Sequence, residues 1–423
     1  MLKQYELNFK LGITKDKITP RSGLALYMEI LKSLNLDSLI NKCMPYPSSN
    51  RGYNPSSYIM PLMLMLYGGG RHIEDLREII NDNALSELLN IKIPSTSSFG
   101  DWLRRYGKIG LNGFNQVIDK INEKTLMLDN HTEYTLFIDP TMIEANKEDA
   151  HMTYMGFKGY RPWVATFLEL PIIIYQEFRD GNKMGGALGV LKKIFNLMPE
   201  GKRIKHVSMD SEFYNYEVIE FLTSKNVTFT ISADKTKSLK DTIKSIKDWD
   251  DFKTIDGFNL GRQIGENIYC MENSNPFRIA VLRWLSEPDL FEEDHYNYHV
   301  IATNLECSKE EVIYEYNKRV NIENIIKELK IGIGMENLPT GDYFANSLFF
   351  AIGVLVYNTF IIMKTHLLPE KYGTKTIDTF RWSVINIAGK AVRHGRNLFL
   401  LLACKVDKLK LYQKMRDRCA VFV

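Results

Sequence analysis

The sequence has few cysteines, and their arrangement excludes two kinds of stabilising site. Five occur among 423 residues: Cys43, Cys270, Cys307, Cys404 and Cys419. No two of them have the spacing of a zinc site or a redox pair, and an odd number does not suit a disulfide framework. The sequence therefore predicts neither a zinc centre nor disulfide bonds, which indicates a reducing compartment.

Long uninterrupted apolar runs are also missing. The first ten residues, MLKQYELNFK, contain no apolar core of signal-peptide length, so we expect no signal peptide and a cytoplasmic location. The most apolar stretch, residues 346–363, is long enough to cross a bilayer but is interrupted by Asn358 and Thr359. A buried core helix is the better interpretation, and no membrane association is predicted.

Glycine-rich loops for nucleotide phosphates are not present either. Gly68–Gly70 are not followed by Lys-Ser/Thr, and the glycines of GNKMGGALG miss the dinucleotide-binding spacing. These glycines are predicted to serve turns and helix caps. Internal repeats and low-complexity segments are absent too, so the chain is expected to fold into two or three ordinary globular domains.

Charge is nearly balanced, with a formal net charge of +3, but it is unevenly distributed. Residues 237–296 contain 8 Lys/Arg and 12 Asp/Glu, whereas Lys390 to Arg418 contain nine bases against Asp407 and Asp417. A basic tail on a nearly neutral body indicates a polyanionic partner, although a solvated helical face would give the same pattern.

Helical patterns fill the first third of the chain, residues 1–127. IPSTSSFGDWLRRYG predicts a helix capped at Ser97 or Ser98, with Arg104 and Arg105 opposite its apolar face. Two short helices joined by a polar turn, the second ending in arginines, suit a helix-turn-helix placed against DNA. An ordinary helical bundle gives the same pattern, and both interpretations stay open.

From about residue 128 the pattern changes to a mixed α/β sheet. EYTLFIDPT and KHVSMDSEF are predicted strands that end at Asp139 and Asp210, and NYHVIATNL resumes the sheet later. Between them, RQIGENIYCMEN and PFRIAVLRWL alternate as in a β-hairpin. We therefore predict a core in two parts, 128–236 and 297–385, interrupted by a β-rich insertion at 237–296, with a basic helical region at 386–423.

Residues 306–330 are predicted to form one helix whose polar positions share a ridge. Tyr316, Arg319, Glu323 and Lys330 are separated by near-whole helical turns and lie beside an isoleucine-rich stripe. A solvated helix face would also produce such a charge pattern. Asp139 and Asp210 favour a functional interpretation of this ridge. Together with Glu323 they make three acids in one α/β unit, and like-charged carboxylates brought together repel one another and need a cation.

Oxygen-only ligation by three carboxylates favours Mg²⁺ or Mn²⁺ over zinc. Two such ions about 3.5–4 Å apart can activate a water and stabilise the leaving oxygen of a phosphodiester. Arg319 and Lys330 would then hold phosphates. The three acids Asp139, Asp210 and Glu323 are therefore the candidate catalytic and metal-binding residues.

These residues resemble a known family, the bacterial insertion-sequence transposases with an Asp-Asp-Glu triad. Their hallmark, Tyr-(2)-Arg-(3)-Glu-(6)-Lys, is matched at every interval by Tyr316, Arg319, Glu323 and Lys330. FIDPT with GFKGYRPWVATF, FRDGN and VSMDSEFY are similar to the family's other motifs, and the resemblance spans roughly residues 20–415. The sequence departs from the pattern at Ser208, Met209 and Glu212, the last standing where glycine is usual.

The resemblance implies an RNase H-like core with a helical N-terminal DNA-binding region. It also implies two Mg²⁺ ions, which Mn²⁺ can replace, held by Asp139, Asp210 and Glu323, and a homodimer acting on double-stranded DNA within the nucleoid. An aromatic of the insertion would receive a flipped base, for which Trp284 is the candidate, although packing under its hairpin is an alternative. Further candidate DNA contacts are Tyr316, Arg319, Lys330, Lys158, Arg161, Arg104, Arg105, Arg393, His394 and Arg396.

Three functions remain open at this point. The first is a transposase that cleaves DNA at inverted repeats and transfers the strand to a target. The second is a metal-dependent nuclease of the same fold without strand transfer. The third, a DNA-binding protein that has lost catalysis, is disfavoured because all three acids are present.

Overall fold

The computed structural model describes residues 10–47, 52–183, 185–272, 274–285 and 296–419. It confirms the mixed α/β class: a nine-stranded sheet is surrounded by helices, and two three-stranded sheets lie beside it. The apolar side chains of the helices and of the large sheet form one extended core.

The N-terminal region is helical apart from one short strand. Its elements are β1 (Ile18–Thr19), α1 (Gly23–Ser33), α2 (Leu36–Cys43), α3 (Ser56–Gly68), α4 (Leu76–Ile80), α5 (Asn83–Leu89) and α6 (Thr96–Leu128). They pack as a bundle, which is the second of the two arrangements that the sequence left open.

The second helix of the expected helix-turn-helix is not short. Arg104 and Arg105 lie near the beginning of α6, which continues for 33 residues because its apolar positions recur at helical spacing as far as Leu126. Gly107 and Gly113 let this helix approach the backbone of its neighbours closely. A side chain at Gly107 would meet the backbone of Phe344 at 2.5 Å. Since α6 does not end at Arg104 and Arg105, the prediction of a short second helix is wrong.

The sheet begins after α6. Its first elements are β2 (Glu133–Pro140), β3 (Ile143–Glu144), β4 (His151–Met152), β5 (Lys158–Tyr160), β6 (Trp163–Phe167), β7 (Ile173–Glu177), α7 (Ala187–Asn196), β8 (Arg203–Met209), α8 (Tyr216–Ser224) and β9 (Thr228–Ser232). Strands β3, β5 and β4 form a small separate sheet. In the large sheet, β2 pairs in parallel with β8, and β8 with β9, whereas β6 and β7 are antiparallel.

The segment predicted as an insertion adds strands to this same sheet. It contributes α9 (Lys237–Lys244), β10 (Asp250–Lys253), β11 (Asn259–Tyr269) and β12 (Phe277–Leu285), and β13 (Tyr296–Thr303) follows. The order across the sheet is β10-β11-β12-β13-β9-β8-β2-β6-β7. The segment is thus β-rich and continuous with the core sheet through β13, and its standing as a subdomain stays a prediction.

The last third of the chain is helical until a final hairpin. Its elements are α10 (Lys309–Asn317), α11 (Val320–Lys327), α12 (Tyr343–Ile362), α13 (Ile377–Phe380), β14 (Gly389–His394), β15 (Asn397–Leu402) and α14 (Val406–Cys419). The C-terminal region was expected to be helical throughout, and this is wrong for 389–402. Gly395 has a φ of 60°, and His394 pairs with Asn397, so two residues form the tight turn of a β-hairpin.

The apolar run at 346–363 lies within α12 as a buried core helix. Among the residues that the structure describes, one helix, Tyr343–Leu367 when its last turn is included, is long and apolar enough to cross a membrane, and its apolar window is entirely buried within the protein. Asn358 is tolerated there because its amide binds the backbone of Ile173 through both oxygen and nitrogen, at 2.8 Å each. It also donates to Asn122. The polar interruption seen in the sequence is thus a satisfied core contact.

Candidate active site

The strand register places two of the predicted acids side by side. Ile138 of β2 lies opposite Met209 of the parallel strand β8. Asp139 and Asp210 follow these residues directly, so both lie at the same carboxyl-terminal end of the two strands. Pro140 closes β2, while the Asp210 side chain accepts a hydrogen bond from the backbone of Glu212 at 3.1 Å, which fixes the turn after β8.

Both carboxyl groups are largely buried, and burial raises their pKa values to about 6. The negative charge of Asp139 raises the pKa of Asp210 further. At Asp139 the positive charge of Arg319 opposes the effect of burial without outweighing it. Two like-charged acids held at one edge in this way form a site that favours a cation.

Arg319 supplies positive charge in this structure. Its guanidinium forms an ion pair with Asp139 and also donates to the hydroxyl of Tyr316 at 2.8 Å. Tyr316 is itself buried against the sheet. The end of β2 and the helical ridge are therefore in direct contact, through Arg319 and Asp139.

The ridge is not one continuous helix, which corrects the prediction for residues 306–330. Helix α10 ends at Asn317 and α11 begins at Val320, so Arg319 lies at a break between them, and a π-helical turn spans Glu328–Gly332. Arg319 contacts Asp139 from this break. Lys330, in the π-helical turn, donates to the carbonyl oxygen of Met142 at 2.5 Å and so holds the segment that follows β2.

Glu323 lies in the first turn of α11 and is exposed. Its negative charge raises the pKa of Asp139, which places it within electrostatic reach of the first acid. The three predicted acids thus belong to one electrostatic neighbourhood, with two of them buried and the third at the solvent side.

The donor set suits a hard divalent cation, since it consists of carboxylate oxygens that repel one another. In the part of the chain that the structure describes, no three His, Cys, Asp or Glu side chains are grouped closely enough to hold a metal ion. Arg319 lies on Asp139 in this arrangement. A metal ion at Asp139 would therefore compete with Arg319 for this carboxylate.

Glu212, the extra acid near Asp210, does not point to the same place. Its carboxylate receives Arg161 at 2.8 and 3.0 Å and the indole nitrogen of Trp163 at 3.0 Å. The guanidinium of Arg179 stacks on the Trp163 ring at 3.7 Å. All of these side chains are buried. Glu212 thus forms a buried ion pair with Arg161. This favours Asp210 over Glu212 as the second acid of the predicted site.

The predicted DNA contacts divide by exposure. Most are at the surface: Lys158, Arg104, Arg105, Arg393, His394 and Arg396. Arg161 is only 6% exposed and is held by Glu212, so it does not present its guanidinium at the surface as predicted. Trp284 is half-buried and packs against a small apolar cluster, with Arg262 over its ring at 5.2 Å. This matches the packing alternative for Trp284.

Sequence reasoning missed the buried Arg161–Glu212–Arg179 cluster, although its residues lay inside the quoted motifs. It also missed Arg381, which binds the carbonyls of Leu66 and Tyr67 at the end of α3 and that of Gly332 in the π-helical turn. A charged residue within an apolar helical pattern was the only signal. Arg381 connects the N-terminal bundle to the segment that carries Lys330.

Comparison with known proteins gives a family. The model for the family Transposase DDE domain group 1 matches residues 6–420. No curated protein was found to match the chain. The chain is similar to the piggyBac transposase in a cryo-EM structure of its synaptic complex with hairpin DNA, with 12% identity, a TM-score of 0.46, and coverage of 86% of this chain and 78% of that one. Because the family model spans nearly the whole sequence, this chain belongs to the DDE transposases, which cleave and join DNA.

Proposed function

We propose that this transposase cleaves DNA at the inverted repeats of its element and transfers the freed strand to a target. The observation that carries the proposal is the contact of Arg319 with Asp139 and Tyr316, beside the two adjacent parallel strands that end at Asp139 and Asp210. The two buried acids, with an arginine already bound to one of them, suit a reaction centre for an anionic substrate.

The finer fold proposal is that β2, β6, β7, β8 and β9 form an RNase H-like core. Two of the acids lie at the ends of its adjacent parallel strands, and the third comes from a helix packed against β2 and β6. Two Mg²⁺ ions, or Mn²⁺, bound by these acids would polarise the scissile phosphate and activate the attacking hydroxyl.

The chain's own residues have separate tasks in this proposal. Asp139 and Asp210 are held in place by the strand ends and, for Asp210, by the Glu212 backbone. Arg319 exchanges its bond to Asp139 for a phosphate oxygen, because a guanidinium binds either anion with the same fork. Tyr316 keeps Arg319 oriented. Lys330 holds the Met142 segment beside the cleaved strand.

The test compares two carboxylate-to-amide substitutions on neighbouring helices. Glu323→Gln should abolish divalent-cation-dependent cleavage while leaving binding of the DNA end within about twofold of wild type. Glu315→Gln, on α10, is the matched control, since its carboxylate pairs with Lys318 and lies outside the site. An unimpaired Glu323→Gln enzyme would remove Glu323 from the proposed centre.

Strand transfer separates this proposal from the nuclease alternative. A wild-type enzyme given pre-cleaved ends and a plasmid target should join the two, whereas a nuclease would only shorten the ends. We propose that the active form is a homodimer that pairs two ends within the bacterial nucleoid. Mixing wild-type protein with Glu323→Gln protein should therefore yield complexes in which only one end is cleaved.

A further inference from the structure

We propose that the turn Thr153–Gly156, which joins β4 to β5, is a site where Tyr154 stacks on a nucleobase beside the scissile phosphate. This inference rests on the proposed function and adds to it a substrate contact of stated chemistry. The turn is outside the predicted insertion and contains none of the residues expected to contact DNA.

The turn is held rigidly at its base. The backbone and the hydroxyl of Thr153 both donate to the carbonyl of Phe157 at 2.8 Å, and Gly156 donates to Thr153 at 3.1 Å. Gly156 has a φ of 85°, the conformation that closes the turn. Thr153 is buried while the two residues between it and Gly156 project outward.

The composition of the tip is unusual for a surface turn. Tyr154 is 73% exposed, Met155 61% and Met152 53%. Turn tips in soluble proteins are generally Gly, Pro, Asn, Asp or Ser, because these residues suit the backbone and water. Met155 and most of the Tyr154 ring remain in contact with water in the free protein. Aromatic rings are, however, the surfaces on which unpaired bases stack, and Met is one of the apolar residues that wedge between base steps.

Contacts connect this tip to the acids. The guanidinium of Arg161 lies 5.4 Å from the centre of the Tyr154 ring. The same guanidinium binds Glu212, whose backbone donates to Asp210. The small sheet that carries the turn also begins at Ile143, three residues after Pro140. Tyr154 is therefore an exposed ring tied through two side chains to the turn of the second acid.

The surroundings favour a nucleic acid over a protein as the partner. Lys158 lies opposite Met152 in the hairpin and is exposed, so it can meet a phosphate of the same strand. Although Arg161 lies near the Tyr154 ring, Tyr154 is 73% exposed, so a base can still stack on the ring. Extruding a base costs a few kcal/mol, and stacking on the ring would offset part of this cost.

The experiment uses duplexes that carry the terminal DNA flanking the gene, with 2-aminopurine placed at successive positions around the cleaved phosphate and Ca²⁺ replacing Mg²⁺. Wild type and Tyr154→Phe should both change the emission at one position. Tyr154→Leu, which keeps apolar bulk but lacks a ring, should lose this change and bind the end roughly fivefold more weakly. Phe258→Ala is the control, since Phe258 is 66% exposed in the turn at the far edge of the sheet.

A second measurement distinguishes stacking from a structural role. An abasic nucleotide at the responding position removes the cost of unpairing, so it should restore cleavage by Tyr154→Leu to within about twofold of wild type. Equal behaviour of the Leu and Phe variants, with wild type binding and cleaving normally, overturns this inference alone. If Tyr154→Leu disrupts the paired-end complex without changing the emission, the tip contacts a second protein copy and the inference is wrong. Failure of wild type to bind or cleave overturns the proposed function as well.

Discussion

The guanidinium of Arg319 is bound to the carboxylate of Asp139, although the two residues are 180 positions apart in the chain. The side chains are 13% and 14% exposed, so the pair is mostly withdrawn from water. A buried charge without a partner is costly, and the arginine compensates the acids at the strand edge. Any divalent cation that binds Asp139 must therefore compete with the positively charged guanidinium of Arg319.

Replacing Arg319 tests this competition. Arg319→Ala should lower the free energy of unfolding by about 3 kcal/mol without divalent cations, because a buried carboxylate loses its partner. Mg²⁺ should then stabilise the variant more than it stabilises wild type. Denaturant unfolding with and without Mg²⁺ measures both effects. Arg319→Lys keeps the positive charge, and its free energy of unfolding should lie between those of wild type and Arg319→Ala. An equal Mg²⁺ effect in wild type and variant would argue against competition at Asp139.

A second test concerns Glu212, the acid that we interpret as a structural partner of Arg161 and not as a metal ligand. Its carboxylate binds Arg161 through both oxygens, and both side chains are buried. Glu212→Gln and Arg161→Met should each cost about 3 kcal/mol of unfolding free energy, and the double variant should cost clearly less than their sum. Denaturant unfolding of the four proteins gives the coupling. Additive losses would show that the pair is not energetically linked.

The same series reports on metal binding. Since Glu212 is directed at Arg161, Glu212→Gln should leave the Mg²⁺ concentration needed for half-maximal cleavage within about twofold of wild type. Asp210→Asn is the contrasting variant and should abolish cleavage. A large shift in the Mg²⁺ requirement of Glu212→Gln would return Glu212 to the list of metal ligands.

The sequence predicted the position of Asp139 and Asp210 correctly because strand ends are visible in it. Asp139-Pro140 closes an apolar run, and a proline after an acid marks the end of a ladder. The strand order that brings Asp139 beside Asp210 is a tertiary property, and it followed from the family resemblance instead of the local pattern. The spacing of Tyr316, Arg319 and Glu323 was informative even though the helix is broken at Arg319.

What the sequence could not provide was partner choice among polar residues. Arg161 and Glu212 are ordinary charged letters 51 positions apart, and only packing makes them a buried pair. Similarly, the hairpin at 389–402 was hidden by leucines and bases that suit an amphipathic helix equally well. Gly395 is the one local signal there, and a single glycine does not distinguish a cap from a tight turn.

His206 in β8 allows a prediction about pH. The ring is 5% exposed between the hydroxyls of Thr228 and Thr230, and burial lowers its pKa to about 4. The unfolded chain, with a pKa near 6.5, therefore binds the proton first as pH falls, so stability present above pH 6.5 is lost toward pH 4. The contribution of His206 to the free energy of unfolding should be about 2 kcal/mol smaller at pH 5 than at pH 8.

The variant His206→Gln can keep contacts to the threonines without titrating. It should remove most of this pH-dependent loss, whereas His131→Gln, at a half-exposed ring, should not. Urea unfolding at pH 5 and pH 8 compares the three proteins. If the wild-type and His206→Gln proteins lose the same stability between these pH values, the buried imidazole is not the cause.

The surface bases predict how DNA binding responds to salt. Arg396 at the tip of the β14–β15 hairpin and Lys158 on β5 are exposed, and each phosphate contact contributes about 0.9 to the slope of log affinity against log salt. Arg396→Ala and Lys158→Ala should each reduce this slope by about 0.9 and weaken binding equally for all sequences. Lys225→Ala is the control, because Lys225 is exposed at the end of α8, just before β9 and thus at the end of the parallel strands opposite the acids. Fluorescence anisotropy across a salt series measures the slope. A variant whose slope equals that of wild type makes no phosphate contact, whatever its effect on affinity at a single salt concentration.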